Sequence, residues 1–205
     1  MISHRHRSFA IQALAICAAA LATPVLAQEN GGTDSADYDV VGSTPVVCAL
    51  QLDEEAAPAL SNFSAADANV YRIDELVSAQ TLSTRAASFE VTLEGVCNSA
   101  HRLRVESLNN GLWQVAYLAN SDAQGFATAV PYAVSARWSD RELRLEADGR
   151  IRSMRERIVP IARPVSGEMV LRFDIDEGAT NLAANAPLVA GSYVDTLTVV
   201  LEPQQ

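Results

Sequence analysis

The chain has 205 residues, 25 acidic and 15 basic side chains, three His and three Cys, and every basic residue is Arg because the sequence contains no lysine. A hydrophobic content of 49% with 20% charged residues supplies enough apolar material for a core and excludes disorder of the whole chain. The formal charge of −10 argues against nucleic acid as the main partner, because affinity for phosphate backbones needs clustered positive charge.

Residues 1–27 read as a secretory signal peptide. Arg5 and Arg7 form a basic start, Phe9 to Ala22 runs without a charge, and Val25-Leu26-Ala27 is a small-residue cleavage site. The apolar run is too short for a stable bilayer anchor. Ile16 before Cys17 is too bulky for a lipidation site. The 178 residues that follow carry 13 Arg against 25 Asp and Glu, a net of −12, and keep two cysteines, Cys48 and Cys97. In an exported protein that pair is read as one disulfide, the alternative being two separate buried thiols.

Residues 28–45 are expected to be a flexible N-terminal arm, polar and acidic over Gln28 to Asp39, and residues 46–205 a single domain. Short runs of Val, Leu, Ile and Thr punctuated by Gly, Asn, Asp and Pro predict an all-β, antiparallel fold. Ser88 to Val96 alternates strictly, with Phe89, Val91 and Leu93 on one face and Glu90, Thr92 and Glu94 on the other. His101 to Ser107 repeats the pattern with Leu103 and Val105, and Asn109-Asn110-Gly111 makes a turn. Further strands are expected at Gly111 to Leu118, Tyr132 to Trp138, Glu168 to Ile175 and Ser192 to Leu201. In the last, Tyr193, Asp195, Leu197 and Val199 share a face.

The segment Arg137 to Arg163 holds eight of the 13 Arg and admits two readings. As a hairpin, a loop with Gly149 in the left-handed region sets Leu145 opposite Ile151. As a helix, Ser139 and Glu142 make a capping box, with Leu143, Ala147, Ile151, Met154 and Ile158 at helical spacing. The hairpin is preferred, because Gly149 weakens a helix interior.

Nothing assembles into a catalytic constellation, so no enzyme, cofactor or metal is assigned. His101 has no nucleophile motif beside it and reads as an exposed strand histidine. The acidic groups Asp53-Glu54-Glu55 and Asp174, Asp176, Glu177 read as solvated loop charges, since Gly178 sits at the fifth place of an EF-hand register and no glutamate closes the ring. Five acids among the eight Arg of 137–163 point to a salt-laced surface rather than a site for acidic sugars or phosphate.

The stretch Ala190-Gly-Ser-Tyr-Val-Asp-Thr-Leu-Thr-Val-Val resembles the final strand of the spore coat protein U and chaperone-usher pilin-like families, which carry an A-G-x-Y-x-D-x-L-x-V pattern there. The residues that carry it are Gly191, Tyr193, Asp195, Leu197 and Val199. The spacing of Cys48 and Cys97, and Val96-Cys97-Asn98-Ser99 followed by Asn110-Gly111-Leu112, resemble the same families.

The resemblance implies an immunoglobulin-like β-sandwich that lacks its final strand. It also implies completion by strand addition, first from a periplasmic chaperone and then from the arm of another copy or a related subunit. The matching donor positions are Ala36, Tyr38 and Val40. The expectation is therefore a non-catalytic subunit of a surface fibre or coat, located in the periplasm, at the cell surface or outside the cell, touching a membrane only during export. A secreted binding module for carbohydrate or a partner protein, using Arg137 to Arg163, is the alternative.

Overall fold

A computed structural model describes residues 37–53, 55–67, 69–116 and 124–204. Residues 1–42 and 43–205 are separate units. The first is described only over 37–42, which are exposed and outside any strand, so the signal-peptide reading and Ala36 lie outside the described residues.

The second unit is built of strands: β1 (Cys48–Leu52), β2 (Ala59–Ser61), β3 (Phe63–Asp67), β4 (Val70–Ile73), β5 (Ala87–Cys97), β6 (His101–Ser107), β7 (Leu112–Gln114), β8 (Ala129–Val130), β9 (Tyr132–Trp138), β10 (Arg141–Ala147), β11 (Arg155–Ile161), β12 (Val165–Ile175), β13 (Tyr193–Val194) and β14 (Leu197–Pro203). All pairings between them are antiparallel. The large sheet runs β1-β5-β12-β9-β10, with β2 following β1 along the same edge of β5, and a second sheet runs β11-β6-β14. Leu93, Val134, Trp138, Met169 and Leu171 from the first meet Leu103, Val105 and Leu201 from the second in one core, which makes the unit a β-sandwich. Two smaller groups, β13-β7-β8 and the hairpin β3-β4, complete it.

Strict alternation explains the central strands. In β5, and in β12 from Met169 onward, every second residue is buried, and their register sets Phe89 opposite Phe173 and Leu93 opposite Met169. Those side chains leave water while Glu90, Glu94 and Arg172 stay on the wet face. Phe89 and Phe173 stack at 5.1 Å, Tyr71 of β4 stacks on Phe89 at 4.4 Å, and Phe63 of β3 meets both phenylalanines edge-on. This aromatic group is what fastens the β3-β4 hairpin, which the sequence pattern did not predict, over one end of the core.

Several expectations need correction. Over 139–158 there is neither a helix nor a hairpin joining Leu145 to Ile151. β10 instead returns on β9 through the two-residue turn Ser139-Asp140, so that Leu145 faces Val134. Gly149 does take the left-handed conformation, at φ +65°. Asn110 then leads the chain away from β10: its Nδ2 donates to Asp148 Oδ1 and to Ile151 O, and its Oδ1 accepts from Asp148 N. Ile151 is 70% exposed as a result, and β11 joins the other sheet.

The strand expected over Gly111 to Leu118 is reduced to Leu112–Gln114, its last two residues lying outside those described. The strand expected over Ser192 to Leu201 breaks at Asp195-Thr196. His101 is wholly buried rather than exposed: its ring packs 5.0 Å from Trp138, and its Nδ1 is 2.8 Å from Ser99 O. It occupies the same alternating face as Leu103 and Val105, which is why it goes inside.

Cys48 and Cys97 form the disulfide, directly opposite each other in the β1-β5 ladder with Cα atoms 4.2 Å apart. The link spans a sequence separation of 49 residues. Reduction is expected to lower the free energy of unfolding by about 4 kcal/mol through the freed chain entropy. Urea midpoints with and without reductant measure this, and the Cys48→Ser, Cys97→Ser pair should reproduce the reduced value.

Candidate strand-docking site

A sheet edge offers unpaired N–H and C=O groups to any passing strand, so its side chains decide whether it can be used. The edges formed by β10 and β11 lie beside each other, and so do those of β1 and β14. The two pairs differ in chemistry. β10 carries Arg141, Glu142, Arg144 and Glu146, and β11 carries Arg155, Glu156, Arg157 and Pro160. Arg157 stands opposite the buried Val105, which puts a guanidinium on the core-side face at the rim. Pro160 removes a ladder donor. Charge and proline block that side of the sandwich against strand addition.

The other side has no such defence. β1 reads Cys-Ala-Leu-Gln-Leu, and β14 reads Leu-Thr-Val-Val-Leu before Glu202 and Pro203. β14 pairs with β6 along one edge only, and among the described residues its second edge has no ladder partner. Cys48, Leu50 and Leu52 of β1 and Leu197 and Val199 of β14 pack against the core yet remain half-exposed. A strand placed along β14 would cover them.

What sets β14 in place is Asp195. Its Oδ2 accepts from Ser107 Oγ and Tyr132 OH, each at 2.6 Å, and from Gly111 N at 3.4 Å. Its Oδ1 accepts from Asn109 N at 2.9 Å, Asn109 Nδ2 at 3.1 Å and Thr196 N at 2.7 Å. One carboxylate thereby ties the start of β14 to the end of β6, to the 109–111 turn and to β9. Burial first, and the bond to Asp195 second, push the Tyr132 hydroxyl far above the usual phenol range.

The neighbouring motif residues also act as anchors. Tyr193 OH donates to Val189 O at 2.7 Å, and burial pushes this hydroxyl up to about 12. At Gly191 the backbone has φ +141°, and a Cβ there would fall 2.2 Å from Gln114 Nε2. β1 is fixed by Asn98, whose Oδ1 accepts from Val47 N while its Nδ2 donates to Pro45 O.

Of the five terminal-motif residues, Gly191 and Tyr193 contact the Gln114 and Val189 segments, Asp195 sets the start of β14, and Leu197 and Val199 are half-exposed on its core-side face. Of the donor candidates, Tyr38 and Val40 are 85% and 96% exposed and belong to no strand. The acidic loop groups have structural partners: Glu177 Oε2 accepts from Ala86 N, and Asp174 pairs with Arg172. Among the described residues no group of three or more His, Cys, Asp and Glu could hold a metal ion.

The Arg-rich segment is only partly salt-laced. Arg144 pairs with Glu146 and Arg163 with Asp140, whereas Arg150, Arg152, Arg155 and Arg157 are in no ion pair among the described residues. No protein-family model matches the chain, and no curated protein sequence matches it.

Asp195→Ala strands the buried Ser107 and Tyr132 hydroxyls and is expected to destabilise the fold by about 2–4 kcal/mol, read by urea denaturation. The two tyrosines set a pH dependence. Their native pKa values are raised above 10.0, so the folded state keeps protons that the unfolded chain releases. Stability is full below pH 10 and falls as pH climbs through 10 toward 12 and beyond. Tyr132→Phe should flatten that slope when unfolding free energy is followed against pH.

Proposed function

We propose that this chain is an exported, non-catalytic structural subunit or accessory component of a surface fibre or coat, of the spore coat protein U and chaperone-usher pilin-like kind, assembled by β-strand complementation. The observation that carries the reading is the contrast between edges: β10 and β11 carry charge and proline along their length, while β1 and residues 197–201 of β14 are uncharged and flanked by half-exposed apolar side chains. In this reading the sandwich is immunoglobulin-like without its last strand. The missing strand belongs alongside β14, where main-chain hydrogen bonds supply affinity and alternate side chains fill the gaps between Leu50, Leu52, Leu197 and Val199.

The occupant is the arm of another copy or a related subunit, presenting Ala36, Tyr38 and Val40 on one face, after a periplasmic chaperone has lent a strand during export. Tyr and Val favour extended backbone, and their alternation with Asp37 and Asp39 leaves the acids facing water.

Electron microscopy and sedimentation of the chain from residue 28 should show linear assemblies. These should disappear when residues 28–45 are removed, and also in Val199→Arg, which places a charge on the open side of β14. A protein that stays monomeric at high concentration with its arm intact overturns the proposal.

A further inference from the structure

Nine successive residues, Arg150 to Ile158, are exposed. The run crosses from the Asp148-Gly149 turn to the first half of β11, and it alternates guanidinium with apolar side chains: Arg150, Ile151, Arg152, Ser153, Met154, Arg155, Glu156, Arg157, Ile158. Ile151 and Met154 are 70% and 57% exposed. The nearby acid, Asp148, accepts from Arg150 N and Asn110 Nδ2 and lies in the field of Arg155 and Arg150 without a salt bridge to either, and Arg152 Nε donates to Asn109 Oδ1 at 3.1 Å. Four guanidinium groups without an ion pair among the described residues, interleaved with solvated Ile and Met, are unusual on a chain whose net charge is strongly negative. Arg and Met are also the residue types enriched where proteins meet.

The complement to this ridge lies on the same molecule, in a place the ridge cannot reach. On the outer face of the large sheet, Glu94 of β5 stands directly opposite Glu168 of β12, and neither is in an ion pair among the described residues. Like charges facing each other across a ladder repel. Asp53 and Glu55 border the same face beside Glu94. β9 lies between Glu168's strand β12 and β10, beside which β11 runs, and Glu94's strand β5 is one strand farther away.

We propose that the 150–158 ridge docks on the Glu94 and Glu168 face of a second copy of this chain, forming a salt-sensitive contact additional to strand exchange. The contact rests on the fibre reading and adds to it a second interface with its own chemistry. Ridge and acidic face are different surfaces of one subunit, so the contact is head-to-tail and leaves a free ridge and a free acidic face at the two ends. Repetition extends into an open filament where the rotation between copies does not close, and into a ring where it does. Guanidinium groups relieve the Glu94–Glu168 repulsion, while Ile151 and Met154 leave water at the centre of the contact.

The test uses the chain from residue 28 with its arm intact, in two charge-reversed forms, Arg152→Glu with Arg155→Glu, and Glu94→Arg with Glu168→Arg. All four side chains reach solvent, Arg155 from the rim of the core-side face, and circular dichroism confirms folding. Sedimentation at low salt should show each form self-associating at least about tenfold more weakly than the parent, and high salt should weaken the parent in the same way. Mixing the two reversed forms should restore association.

The same series in the Val199→Arg background separates this contact from strand exchange. Ridge-dependent, salt-sensitive association that persists there supports the ridge contact even if the arm proves inert. Association lost in Val199→Arg but indifferent to the ridge reversals overturns the ridge contact and leaves strand complementation standing. Failure of the mixed forms to associate, or a parent chain that is monomeric at every salt concentration, also overturns it.

Discussion

Six donors converge on the carboxylate of Asp195, and the position of the last long strand follows from that convergence. Ser107 ends β6, Asn109 and Gly111 form the turn after it, Tyr132 opens β9, and Thr196 immediately precedes β14. Without the carboxylate these groups would be polar atoms at the margin of a core with no acceptor. With it, they fix where β14 starts and thus which of its residues face inward: Leu197, Val199 and Leu201 alternate against the core because Asp195 is held one position before Thr196. The same bond set explains why the strand breaks at 195–196. The backbone turns so that one side chain can reach three elements, and Leu108 N still finds Thr196 O at 2.9 Å.

The turn that Asp195 helps hold is crowded. Gly111, at φ +138°, sits where a Cβ would come within 2.9 Å of Gly149 Cα, and Gly149 N donates to Asn110 O at 2.7 Å. Two turns from different parts of the chain thus touch backbone to backbone, a contact that only glycine permits. The Asn110 side chain completes it by binding Asp148 and Ile151 O. The crossing of 150–154 from one sheet to the other begins at this contact, and the exposed arginine ridge is its consequence.

Charge is distributed over the edges with the same economy. Arg155, Glu156 and Arg157 put charge along the β11 edge, where a strand added there would have to cover it. On the outer face of the β11-β6-β14 sheet, Arg104 is gripped by Glu202 and Glu106, and the bond to Glu202 first among them raises its pKa. That grip joins β6 to the end of β14 and leaves the uncharged stretch 197–201 as the part of the strand with an open side.

Much of this was legible in the linear pattern. Period-two alternation located β5, β6, β9 and the second half of β12, and in β5 and β6 it also gave the buried face, because a one-residue error would have turned every apolar side chain outward. The cysteine pair and the terminal motif were legible for similar reasons, each being a local arrangement of residue types with a narrow range of uses. The short strands β1 to β4 were not, since they are too brief to show a period and are held by Phe63, Tyr71 and the disulfide rather than by their own pattern. Nor was the burial of His101, because a polar residue on an inward face looks the same in sequence as one at an exposed end.

By itself the sequence determined that this is an all-β chain and which faces of its most regular strands are apolar, since side-chain alternation is a local property. Only the tertiary structure decided which edges face each other. β10 pairs with β9 and not with β11 because Asn110, some forty residues earlier in the chain, captures Asp148 and Ile151. The open side of β14 likewise exists only because Asp195 gathers groups from three distant segments. Contacts between residues far apart in sequence carry no periodic signature, and it is those contacts that leave one edge of the sandwich charged and closed and the other apolar and open.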